Sequence, residues 1–304
     1  MKLGGLVMRF GGMMLAALAA AMPVQVGAQS AEQTYKAAGA RASKPAATVA
    51  YGSDSQQFAD LRLPKGKGPF PVAVVVHGGC WTAKVDGNKG IAGIADALTQ
   101  RGFATWNIEY RRIGNAGGGW PGTFEDVAAA VDKLAEVAPK YGLDLSRVTI
   151  VGHSSGAHLA MWAASRGRLP APWTGTKVRP VSVIAIDGPP ALAPFIGIDK
   201  QACDGTSVIV PLMGGTPQER PDAYRIATPA DHLPLGLRQI WVGADFAPLL
   251  TPYIAAARKS GDTVDYFEPG DANHFDIVTP DTPNGTAVLD FIAAKALVPA
   301  PAPR

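Results

Sequence analysis

Three observations predict an α/β fold with a mostly parallel central sheet and helices on both of its faces. Short β-rich apolar runs alternate with longer segments of helical periodicity. The runs are apolar throughout, as in Val72-Ala73-Val74-Val75-Val76, which is how strands covered on both faces read. The 35 Gly and 26 Pro supply turns for many short elements without reaching low-complexity levels. At 304 residues and 47% hydrophobic, the chain has enough apolar material for one main domain with a substantial core.

The N-terminus carries Lys2 and Arg9, then an apolar small-residue run from Phe10 to Val26 that ends in Val26-Gly27-Ala28. This is the pattern of a signal peptide, residues 1–28, cleaved before Gln29, and it predicts export to the periplasm or the medium. Gly11, Gly12, Pro23 and Gln25 interrupt a run already short of the ~20 apolar residues that cross a bilayer, so no membrane span is expected in the mature chain. Residues 29–46, rich in Ala and polar residues and without alternation, read as a mobile leader. The folded domain is expected over 47–297, with an antiparallel start around Val49–Leu63. Strands then fit Val72–Val76, Phe103–Ile108, Arg147–Val151, Val181–Ile186, Arg238–Val242 and Thr263–Phe267. Helices fit Ile91–Arg101, Phe124–Tyr141, Ser155–Ser165, Leu249–Ser260 and Gly285–Leu297. The long Pro-rich stretch from Gly188 to Leu235 reads as a small insertion over the site, offering Phe195, Ile196, Ile198 and Met213 to an apolar group. Residues 298–304 form a tail whose three prolines cannot continue a helix.

Formal charge excludes one class of partner. Removing residues 1–28 takes two of the 28 basic residues and none of the 25 acidic ones, so the charge falls from +3 to +1. A near-neutral chain without a basic, aromatic-interleaved patch lacks the footprint of nucleic-acid binding. The two cysteines, Cys80 and Cys203, would meet an oxidising compartment, where a disulfide persists; spacing alone leaves their pairing open. Nothing in the sequence sets the oligomeric state.

In an open parallel sheet, reactive groups collect where the carboxyl ends of the strands converge. The apolar run ending at Val151 leads directly into Gly152-His153-Ser154-Ser155-Gly156, and helical character follows. Glycines around a serine at a strand-to-helix junction permit the strained turn that lifts a nucleophilic hydroxyl out of the sheet, so Ser154 is the candidate nucleophile. Its base must be a histidine. His77, His153 and His158 lie in segments with other duties and His232 precedes a strand, which leaves His274, on the loop after Thr263–Phe267. The orienting acid should lie between them in sequence and just past a strand. Asp245, after Gln239-Ile240-Trp241-Val242-Gly243-Ala244, is the first choice, and Asp187, after Val183-Ile184-Ala185-Ile186, is the rival. Asp271 and Asp276 read as turn formers. Oxyanion donors are expected from the backbone N–H of Ser155 and from Gly79 and Cys80 in the loop His77-Gly78-Gly79-Cys80-Trp81. Trp81 and Trp120 are candidate substrate-binding residues.

Together, His77-Gly78-Gly79-Cys80-Trp81, Glu109-Tyr110-Arg111, Trp120-Pro121 leading to Asp126, Gly152-His153-Ser154-Ser155-Gly156, Gly243-Ala244-Asp245 and Asn273-His274-Phe275 resemble the α/β-hydrolases of esterase/lipase type. The likeness, over roughly residues 50–297, is to the branch of feruloyl-esterase-like proteins and kynurenine formamidases. It implies the α/β-hydrolase fold and two-step acyl transfer to water by Ser154, Asp245 and His274, on a small ester or, second, an amide or formamide. It also implies scaffold roles for Tyr110, Arg111 and Asp126. No cofactor or metal is expected, since no His-Glu-x-x-His run or paired-cysteine set exists. The glycines from Gly114 to Gly119 start too far past their strand, and too close to Trp120-Pro121, to cradle a phosphate. A non-catalytic binding protein on the same scaffold is the alternative from another class.

Overall fold

A computed structural model describes residues 24–85 and 87–298. Most of the expected signal peptide and the prolines of the expected tail lie outside the described residues. Eight strands form one sheet: β1 (Ala47–Ala50), β2 (Phe58–Arg62), β3 (Phe70–Val76), β4 (Ala104–Ile108), β5 (Leu143–His153), β6 (Ser182–Ile186), β7 (Arg238–Val242) and β8 (Val264–Phe267). Their order across the sheet is β1-β2-β4-β3-β5-β6-β7-β8. β1 and β2 are antiparallel, as expected for the start of the domain, and all pairs from β4 to β8 are parallel.

The nine α-helices of the described residues are α1 (Val24–Arg41), α2 (Ala92–Gln100), α3 (Gly122–Tyr141), α4 (Ser155–Ser165), α5 (Ile198–Ala202), α6 (Ile209–Met213), α7 (Pro221–Ala227), α8 (Ala247–Lys259) and α9 (Pro283–Lys295). Alternation along β3 shows how they are layered. Val72, Val74 and Val76 join the core built with α3, α4 and α8, while Ala73 and Val75 join the core built with α2 and α9. Both faces are therefore dry, which is why the strand carries no polar alternation. α4 is buried along its whole length and has no solvent stripe; the side chains of His158 and Ser165 bond to backbone carbonyls.

Two segments depart from expectation. The supposed mobile leader is helical as far as Arg41 and packs on α2. Its contact face is small: Ala38 is buried, and a Cβ on Gly39 would stand 2.6 Å from the Lys89 carbonyl oxygen. Between β6 and β7 the chain forms the short helices α5, α6 and α7, a cap that carries the insertion. Asp199 organises it, accepting the N–H groups of Gly197, Lys200, Val208 and Ile209 at 2.8–2.9 Å. Phe195 and Ile198 reach the cavity described below, whereas Met213 is buried in the core and Ile196 is exposed.

Candidate active site

β5 ends at His153, and Ser154 follows at φ 57°, ψ −127° before α4 begins. A non-glycine residue at positive φ is strained by about 1–3 kcal/mol, and such strain is kept where the surroundings fix it. The surroundings here are glycines. A Cβ at Gly152 would fall 2.0 Å from the Gly156 carbonyl oxygen, and one at Gly156 would fall 2.3 Å from that of Val76. The turn therefore closes only without side chains at those two positions.

The loop after β3 lies against this turn. A Cβ on Gly78 would come within 2.8 Å of the His153 carbonyl oxygen and 3.0 Å of the Ser154 Cβ. The backbone then turns through positive φ at Gly79 (105°), Cys80 (54°) and Trp81 (52°). A buried polar network holds the start of the loop. His77 Nδ1 meets the Gly78 carbonyl oxygen at 2.7 Å, and Nε2 meets Glu109 Oε1 at 2.9 Å. The Tyr110 ring stacks on His77 at 4.2 Å, and its hydroxyl donates to the His77 carbonyl oxygen. Burial pushes the Glu109 carboxyl up, but His77, Arg112 and the Tyr110 N–H together outweigh it and hold the group down at about 2. Next to this network Arg111 grips Asp126 through Nε and Nη2, as expected of scaffold elements. Farther along the loop, a disulfide joins Cys80 to Cys203 just past α5, with Cα atoms 6.1 Å apart. Cys80 is thus no free thiol, and the loop after β3 is tied to the cap.

His274 Nδ1 donates to Asp187 Oδ2 at 2.7 Å. This corrects the expectation that Asp245 orients the base. Asp187, at the end of β6, is fully buried, sits at φ 45°, and accepts the Ala244 and Phe246 N–H groups on Oδ1 at 2.9 and 3.0 Å. The turn after β7 therefore points two backbone donors at Asp187, while the side chain of Asp245 between them is exposed at the cavity wall. The carboxylate accepts three hydrogen bonds, which fixes its orientation.

His153 Nε2 donates to the His274 carbonyl oxygen at 2.9 Å, and its ring lies 4.4 Å from that of His274. Burial, and then the neighbouring His274, push His153 well below the usual histidine range, so it stays neutral. His158 donates from Nε2 to the Ala227 carbonyl oxygen, and His232 meets that of Arg225. Both serve packing.

Ser154, His274, Gly79, Cys80, Ser155, Trp81 and Asp245 line one cavity of about 940 Å³. Trp81 also buries its indole edge-on to His158, and its Nε1 has no partner among the described residues. Trp120, expected beside substrate, does not line the cavity; its ring packs against Phe124 and Trp173. Sequence reasoning missed the wall formed by α1, where Glu32, Tyr35 and Lys36 line the same cavity. It also missed the Glu109–His77 support, which the proximity of Glu109 to Tyr110-Arg111 marked only as scaffold. Among the described residues no cluster of His, Cys, Asp and Glu is arranged to hold a metal ion, and no helix is long and apolar enough to cross a membrane.

Known esterases resemble the chain in sequence, and solved structures resemble it in fold. A probable isoprenylcysteine alpha-carbonyl methylesterase of Arabidopsis thaliana is 29% identical over 114 residues, 37% of this chain and 23% of that protein. Esterase LipQ of Mycobacterium tuberculosis is 31% identical over 129 residues, 42% of this chain and 28% of that protein. The chain thus matches only about a quarter of the length of these relatives. Among solved structures, a truncated carbohydrate esterase from gut microbiota superposes with a TM-score of 0.67 at 21% identity, covering 84% of this chain and 97% of that one. Esterase B from Lactobacillus rhamnosis superposes with a TM-score of 0.70 at 17% identity, covering 89% and 93%. At these identities the superpositions establish the α/β-hydrolase fold. The BD-FAE family profile matches residues 59–235, more than half of the sequence, and the chain belongs to this family of α/β-hydrolase esterases.

Proposed function

We propose that this chain hydrolyses carboxylic esters through an acyl-enzyme on Ser154, with His274 as base and Asp187 as the carboxylate that orients it. The observation that carries the reading is the 2.7 Å bond from His274 Nδ1 to Asp187, in a cavity that also holds Ser154 at a strained strand-to-helix turn. A carboxylate only accepts, so it fixes the proton on Nδ1 and leaves Nε2 to take the Ser154 proton. The serine oxygen attacks the ester carbonyl carbon, and the N–H groups of Gly79, Cys80 and Ser155 receive the charge that develops on the carbonyl oxygen. The imidazolium then gives its proton to the departing alcohol. Water, deprotonated by the same imidazole, attacks the acyl-enzyme, and the acid leaves as Ser154 is reprotonated.

Phe195, Ile198 and Ile209 from the cap, together with Phe246, give the cavity an apolar side suited to an uncharged acyl group. The Cys80–Cys203 disulfide accords with export to an oxidising compartment, the periplasm or the medium.

A fluorophosphonate probe followed by peptide mass spectrometry tests the mechanism, with hydrolysis of short p-nitrophenyl esters recorded in parallel. Adduct on Ser154, and loss of both adduct and turnover in Ser154→Ala, is the expected result. Neither adduct nor turnover in the wild-type chain would favour a binding protein on the hydrolase scaffold.

A further inference from the structure

Helix α1 reaches the base through aromatic rings. Tyr35 lies 6.2 Å from the ring of His153 and 5.7 Å from that of Phe275, and those two rings lie 4.4 and 5.3 Å from His274. Tyr35 itself is half-buried and lines the cavity that holds Ser154. Beside it on the same wall, Glu32 and Lys36 form an ion pair one helical turn apart at 2.7 Å, with both side chains still partly in solvent. The cap approaches His274 by a different route, through Phe195 and Phe246. The α1 wall therefore presents Tyr35 with a charged rim, and the cap wall presents Phe195 and Ile198 beside polar residues such as Gln201 and Ser207.

Reaction geometry places the leaving alcohol beside His274, which α1 approaches through His153 and Phe275 and the cap through Phe246. The imidazole that reprotonates the departing alcohol must be within hydrogen-bond reach of its oxygen, so the alcohol lies on the histidine side of the scissile bond. The carbonyl oxygen lies on the other side, toward the amides of Gly79, Cys80 and Ser155. We propose that α1 forms the alcohol side of the substrate site and that Tyr35 is a specificity-determining residue, packing its ring against the leaving alcohol. This rests on the Ser154–His274 reading and extends it to a segment that lies before the matched family region, which starts at residue 59.

α1 is placed well enough to act as a wall. Ala38 and Gly39 seat it against α2, and Gly93 of α2 leaves no room for more than the Ala38 methyl group, to which its own Cβ would come within 3.2 Å. Arg41 pairs with Asp281, anchoring the C-terminal end of the helix to the segment that follows the His274 loop.

Steady-state kinetics on two butyrate esters, one of methanol and one of a bulky aromatic alcohol, test the assignment in the full chain. In Tyr35→Ala, KM for the bulky ester should rise about tenfold, the size of one lost aromatic contact, with kcat within about threefold. KM for the methyl ester should change less than about twofold, and Tyr35→Phe should restore the wild-type values. Tyr35→Leu, which keeps apolar bulk, serves as the second variant if the alanine chain fails to fold, and should show the same preference at smaller size. Equal changes for both alcohols, or a fall in kcat with a shifted pH profile, would make Tyr35 packing support for His274 and overturn the proposal. Wild-type chain without probe adduct or turnover would overturn the serine mechanism as well, whereas an active wild type with unchanged Tyr35 variants overturns the alcohol-side assignment alone.

Discussion

Asp187 and Asp245 each follow a central strand, and only one of them touches His274. Replacing Asp187 by Asn removes the acceptor that fixes the Nδ1 proton, and kcat should fall by about 10³–10⁴-fold. Asp245→Asn should leave kcat within about threefold; the two variants measured side by side on one p-nitrophenyl ester check the assignment. The sequence could not decide between them because both meet the same requirement, a carboxylate just past a strand. What separates them is the aim of the Ala244 and Phe246 N–H groups, which depends on how the turn after β7 packs beside β6. The placement of Ser154 at a strand-to-helix turn and of His274 past the last strand, both on the cavity, was legible for the opposite reason, since glycine spacing and strand order are written in the chain. A second prediction concerns Glu109. Its carboxyl is held at about 2 in the folded protein, against 4.5 as its ordinary value. A carboxylate with a depressed folded value stabilises the fold above about 4.5, and this contribution is lost as pH falls toward 2. Melting temperature against pH should therefore drop less steeply between pH 4.5 and 2 in Glu109→Gln than in wild type.

Among the elements, the loop after β3 packs closely on the turn that holds Ser154. Gly78→Ala places a methyl group against the backbone of His153 and against Ser154 Cβ, where no flexible side chain can yield. The loop must then back away, and donors displaced by even a fraction of an ångström lose their hold on the developing charge. We expect kcat to fall about 10- to 100-fold with KM little changed, measured on the same esters. The loop was recognisable as Gly78-Gly79, but α1 was not recognisable as a helix. Its buried face consists of Tyr35, Ala38 and Gly39, and two of these residues are too small to register as an apolar stripe. Small residues permit the close approach to α2 that large ones would signal and prevent. The cap was foreseen as a Pro-rich insertion but not as three short helices. They are held by Asp199 and its four backbone donors rather than by periodic apolar faces.

At the scale of the molecule, the sheet was legible almost strand by strand, because most buried strands are dominated by apolar residues and the long flanking helices keep their period. The Cys80–Cys203 link was not, since it joins residues 123 apart in sequence that only the fold brings together. A cross-link closing a loop of that length stabilises by about 2–5 kcal/mol, so Cys203→Ser, or reduction by dithiothreitol, should lower the melting temperature by several degrees. An unchanged melting curve would show that the two thiols do not pair in the folded protein. The sheet also distributes the candidate site among its strand ends: β3 leads to the Gly78-Gly79 loop, β5 to Ser154, β6 to Asp187 and β8 to His274. β7, like β3, gives main chain rather than a side chain to this arrangement: its turn serves Asp187 through two peptide N–H groups. On the proposed mechanism the side chain at position 245 has no part in the chemistry while still bordering the cavity. It is a place where charge and size can drift during evolution, or be chosen in a redesign, to retune which esters enter while the machinery behind it stays as it is.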